Sequence, residues 1–138
     1  VKTLFELCIP RQSVFDETKR EDVLNLSDLI EGNIECASFF EENYVTDGMK
    51  TLFDTAFNRF IKQGQTGVIK LTQAMGGGKT HNMLALGLLA ANPEFRSKLM
   101  DDSEKYKSID KVRVVAFSGR ESDAPFGIWV GHCRHQPI

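Results

Sequence analysis

The chain has 138 residues, 41% hydrophobic and 26% charged, with a net charge of −2. That suits one soluble globular domain, or part of a larger one, and shows no basic footprint for nucleic acid, which stays undetermined as a partner. No apolar run approaches the roughly 20 residues that span a bilayer, and Glu6 interrupts the opening "VKTLFELCIP", which excludes a signal peptide. A cytoplasmic protein without membrane contact is expected. Cys8, Cys36 and Cys133 are too scattered for a disulfide framework and fit a reducing compartment.

In chain order, residues 1–46 read as a mixed N-terminal segment and 47–138 as a nucleotide-binding domain. In "VLNLSDLI", the apolar residues Val23, Leu24, Leu26, Leu29 and Ile30 fit a short strand or a helical turn equally well. From Asp47 the pattern sharpens. Met49, Leu52, Phe53, Ala56, Phe57, Phe60 and Ile61 share one helical face, with Thr46 or Asp47 as cap and Gly64 just past the end. "VIKLT", residues 68–72, predicts a strand. "KTHNMLALGLLAAN" predicts a helix stopped at Asn92-Pro93. "PEFRSKLMDDSEKYKS" reads as a shorter, more exposed helix or two turns. "KVRVVAFSG", residues 111–119, is apolar enough for a strand covered on both faces. The expected fold is therefore α/β: a parallel sheet flanked by helices, with strands at 68–72 and 112–117 joined by a crossover helix.

Between the first strand and that helix lies "LTQAMGGGKTH", residues 71–81. Glycines let successive backbone N–H groups curl around a phosphate, because no Cβ obstructs the approach. The helix that follows adds unpaired N–H groups and its positive dipole end. Gly76, Gly77 and Gly78 form the cradle. Lys79 would reach the β- and γ-phosphates of ATP, and the Thr80 hydroxyl would ligate Mg²⁺. Gln73 stands where the strict P-loop pattern has glycine, which loosens the match without removing the nest. His81, in the first helical turn, fits a contact to the γ-phosphate or to a neighbouring loop or, more simply, a local hydrogen bond. Tyr44, ahead of the helix from Asp47, is assigned to the adenine side from that position alone.

The acid that hydrolysis needs is missing. The apolar run "VRVVAF" ends in Ser118-Gly119, while "VLNLSD", ending at Asp28, lies upstream of the loop. Glu121 and Asp123 follow the second strand with nothing to deliver them, and Arg120 reads as a solvated side chain. His132, Cys133 and His135 are crowded and lack a fourth ligand, so the tail reads as a frayed terminus rather than a metal site.

"FFEENYVTDGMKTLF", "LTQAMGGGKTH" and "VVAFSGRESDAPFGIW" together resemble the N-terminal part of large AAA+ ATPases of unknown function. That family is found in bacteria and archaea, often beside DNA methylases in restriction or phage-defence loci. The resemblance runs to about Trp129. It implies a P-loop fold of the additional-strand type and ATP as ligand, with Lys79 and Thr80 at the phosphate and magnesium positions. It also implies an acidic motif on later strands, so the chain is expected to be a truncated ATPase portion without independent hydrolysis. The alternative is a non-catalytic domain acting by association; a small-molecule kinase fits less well, since no lid or acceptor site is apparent. Two strands with few covering helices would leave sheet edges open to self-association or a partner subunit.

Overall fold

The computed structural model describes residues 2–10, 15, 24–63, 67–72, 74–101, 103–117, 128–130 and 133–135. Its helices are α1 (Leu4–Leu7), α2 (Leu26–Glu31), α3 (Cys36–Glu42), α4 (Asp47–Phe60), α5 (Lys79–Ala91) and α6 (Pro93–Leu99). A 3-10 turn follows at Ser103–Tyr106. Two short strands, β1 (Ile128–Val130) and β2 (Cys133–His135), pair antiparallel with Trp129 opposite Arg134, so the tail read as frayed forms a small ribbon.

Local chemistry explains most helix ends. The Asn25 N–H donates to Asp28 Oδ2 at 2.8 Å, which starts α2 as a helix and decides between the two readings of "VLNLSDLI". Gly32, at φ 77°, ends it in the left-handed region. Thr46 caps α4 by accepting the Met49 N–H at 3.3 Å. Pro93 opens α6 at a position where its missing N–H costs nothing.

The core forms around α5. Leu84, Ala85, Gly87, Leu88, Leu89 and Ala90 are all buried, so the helix is apolar on nearly every side, as a central helix must be. α2, α3, α4 and α6 pack on it. From α4 come Met49, Leu52, Phe53 and Phe57, the face its spacing predicts, although Phe60 at its end stays 46% exposed. From α3 come Cys36 and Phe39. The segment after α6 is more buried than its composition suggests. Met100 and Tyr106 join the core, and the Tyr106 hydroxyl lies 3.3 Å from Asp54 Oδ1 and 3.2 Å from Asn58 Oδ1 on α4.

The parallel α/β sheet expected from the sequence is not formed. Residues 68–72 and 112–117 carry no regular secondary structure and join no ladder, and the one sheet among the described residues is β1–β2. β-branched side chains favour extended backbone, but a strand also needs a partner backbone about 4.8 Å away. Here the Val112 N–H instead donates to Ala90 O, at the end of α5, at 2.9 Å. Val112, Val114 and Ala116 are partly buried, whereas Arg113, Val115 and Phe117 are exposed. The segment therefore lays one face on a helix rather than being covered on two. The parallel crossover falls with the sheet, and so does the argument for association through open sheet edges.

At Gly87 the Leu29 side chain of α2 packs directly against α5. Leu29 Cδ2 occupies the place a Cβ there would take, and Val114 Cγ1 would lie 3.4 Å away. Alanine gains about 1 kcal/mol in helix propensity over glycine, but overpacking costs about 1–3 kcal/mol. Gly87→Ala is therefore expected to lower the urea midpoint. Adding Leu29→Ala, which empties the clashing volume, should make the pair less destabilised than the sum of the two single changes. Strict additivity would show that Leu29 swings aside without cost.

Cys36 and Cys8 are free thiols in opposite settings, one buried and the other exposed. Burial first, then the nearby carboxylates of Glu94 and Glu35, push the Cys36 thiol up to about 11. Iodoacetamide at pH 8 should therefore alkylate Cys8 and spare Cys36 until the protein unfolds. An unfolded thiol ionises near 8.5, by the usual reference value of about 8.5. The folded protein thus holds one more proton in the interval above it. The stabilisation is complete below the unfolded value and is lost as pH rises towards about 11. Urea titrations across that window should show falling stability, and Cys36→Ala should flatten the fall.

Candidate functional site: the glycine loop

The loop at residues 74–78 turns the chain into α5. Gly76 and Gly78 sit at φ 77° and 73°, a region that L side chains adopt only with strain. Beyond the adjoining residues, no atom lies within 4 Å of where a Cβ on either would sit, so it is backbone conformation, not crowding, that demands glycine. The Ala74 carbonyl gathers the loop, accepting the Gly77 N–H at 3.1 Å and Lys79 Nζ at 2.8 Å. Gly78 serves as the N-cap of α5, and the Asn82 N–H is bonded to Gly78 O at 2.9 Å. The amides of Thr80 and His81 precede that bond, in the turn where a helix supplies no carbonyl partner.

These features suit a phosphate group. Left-handed glycines leave the loop backbone uncovered, a first-turn dipole faces it, and an ammonium is held at its mouth. Thr80 is exposed and Lys79 half-buried, so a hydroxyl and a cation adjoin the same turn. Gly76, Gly77, Gly78, Lys79 and Thr80 are thus brought together.

His81 is placed differently from its neighbours. Its ring stacks on Phe39 of α3, centroids 4.8 Å apart and planes 26° apart. Phe39 is 3% exposed and meets Phe40 edge-on at 5.1 Å. Asn43 Nδ2 donates to Phe39 O at 2.7 Å, closing the end of α3. Tyr44 comes next, 85% exposed on the link to α4. The stack therefore fixes the helix that leads to Tyr44 against the first turn of α5. Neither Phe39 nor Ala74 is legible as a site residue in the sequence, since neither residue type signals a partner so distant in the chain or a backbone acceptor.

Of the acids considered, Asp28 is engaged in capping α2. Gln73, Arg120, Glu121, Asp123 and His132 lie outside the described residues, as do the side chains of Cys133 and His135. Among the described residues no cluster of three or more His, Cys, Asp or Glu could hold a metal, and no helix is long and apolar enough to cross a membrane. An apolar groove of about 380 Å³ runs between α2, α5 and residues 112–117. Among the described residues Arg113 is the one charged residue lining it, which gives no convergent set of polar groups there to orient a ligand.

Helices packed around one central helix, with a glycine-rich loop at that helix's start, define the class: a helical domain carrying a candidate phosphate site. The chain belongs to the DUF499 family, whose N-terminal domain model matches residues 7–123. No curated protein and no solved structure matches it.

Proposed function

We propose that this chain is the ATP-binding portion of an AAA+-type ATPase from a defence or DNA-processing system, and that residues 76–80 hold the phosphates of MgATP. The observation that carries the reading is the loop itself: two left-handed glycines, a lysine and a threonine run into the exposed start of a buried helix. Its resemblance to those ATPases in "MGGGKTH" supplies the choice of ATP. Backbone amides and Lys79 Nζ meet phosphate charge, and Thr80 supplies the magnesium hydroxyl. The exposed Tyr44 ring offers a stacking surface for the base. Titration of the parent and Lys79→Ala proteins with a fluorescent ATP analogue tests the site, and equal affinity would remove it. Loss of preference for ATP over GTP in Tyr44→Ala tests the base side.

Binding is not turnover. Activating water and stabilising the transferring phosphoryl group require positioned acids and usually an arginine finger, and the apolar run after Lys79 ends without an acid. In a steady-state phosphate-release assay with Mg²⁺, residues 1–138 are expected to show no sustained hydrolysis. Turnover abolished by Lys79→Ala would restore a complete ATPase to this chain.

A further inference from the structure

We infer that phosphate occupancy of the glycine loop is coupled to helix α3 through the stack of His81 on Phe39. The inference rests on the nucleotide reading above and concerns how that site is regulated. His81 is two residues past Lys79, inside the turn whose amides would close on an anion. Its ring turns towards α3, 26° from parallel with Phe39 at 4.8 Å. Phe39 cannot move alone: it is buried in the core, in contact with Phe40, and its carbonyl accepts from Asn43. A tightened first turn therefore presses on a ring that belongs to the whole of α3 and to the link carrying Tyr44. Linkage makes the effect reciprocal, so whatever steadies α3 also favours the bound loop. His81 is thus a positioning residue that reports on the anion rather than a ligand to it. Its aromatic face, not its imidazole nitrogens, is the working part.

Amide hydrogen exchange of α3 in the full chain, with and without saturating MgATP, tests this, with binding followed separately by the fluorescent analogue. MgATP is expected to slow exchange over residues 36–42 in the parent by roughly fivefold or more, the low end of typical coupling between sites. His81→Ala should still bind but lose that protection, and His81→Phe, which keeps a ring to stack, should retain it. Phe39→Leu, which keeps an apolar side chain in the core, should behave like His81→Ala. If MgATP binds the parent and α3 exchange is unchanged, or changes equally in His81→Ala, the coupling is refuted and the nucleotide site stands. If the parent binds no better than Lys79→Ala, the nucleotide site fails and takes the coupling with it.

Discussion

Lys79→Ala should weaken ATP binding at least tenfold while leaving the denaturation midpoint close to that of the parent. The ammonium donates to Ala74 O at 2.8 Å, within the turn that would hold the β- and γ-phosphates. Hydrogen bonds to charged groups contribute about 1.5–3 kcal/mol, and about 1.4 kcal/mol is a factor of ten in affinity. The glycine backbone meets only part of the phosphate charge, so the loss falls on binding. Stability should change little, because the side chain is half-buried at the surface end of α5 and its acceptor is a loop carbonyl that water can reach. Raised salt should weaken the parent more than the variant, since the lost interaction is largely charge against charge.

Arg96→Met is expected to destabilise the fold by about 3 kcal/mol or more, the scale for breaking a buried, hydrogen-bonded charge site. Arg96 is 3% exposed. Its Nε donates to Leu89 O at 2.9 Å, and Nη2 to Ala90 O at 2.8 Å and Asp110 O at 3.2 Å. Nη1 donates to Ile109 O, and the guanidinium lies 4.8 Å from the Phe57 ring centre. One side chain thus satisfies the last carbonyls of α5 and pins residues 109–110 beside them, a use of the helix's negative end. Burial lowers the Arg96 pKa from its usual value, with Glu94 and Asp110 opposing, yet the guanidinium stays protonated at neutral pH. Methionine would fill the volume and remove the guanidinium from the Leu89, Ile109 and Asp110 carbonyls, while Ala90 O keeps the Val112 N–H. Lysine would bring a charge but not the planar fork, so Arg96→Lys should recover only part of the loss in urea denaturation. A midpoint unchanged in Arg96→Met would show that water replaces the guanidinium.

What the sequence by itself determined were features whose causes lie within a few residues. The cap at Thr46, the periodic face of α4, the stop at Asn92-Pro93 and the glycine run before Lys79 depend on neighbours in the chain. Each is present in the structure. The tertiary structure alone decided whether "VIKLT" and "KVRVVAF" became strands. β-branched composition requests an extended backbone, but the ladder partner must come from elsewhere, and the Ala90 carbonyl took the Val112 amide instead. It alone decided that Arg96, in a segment that reads as solvated, would be buried, because the four carbonyls it serves converge only when α5 ends beside residues 109–110. The ring neighbour of His81 arose in the same way. The sequence offers a phosphate, a neighbouring loop or a local hydrogen bond, and the packing of α3 on α5 sets the Phe39 ring against it, from 42 positions away in the chain (81 minus 39). Local signals are legible because their energetics are local, and pairings distant in sequence exist only once burial around α5 has brought the chain together.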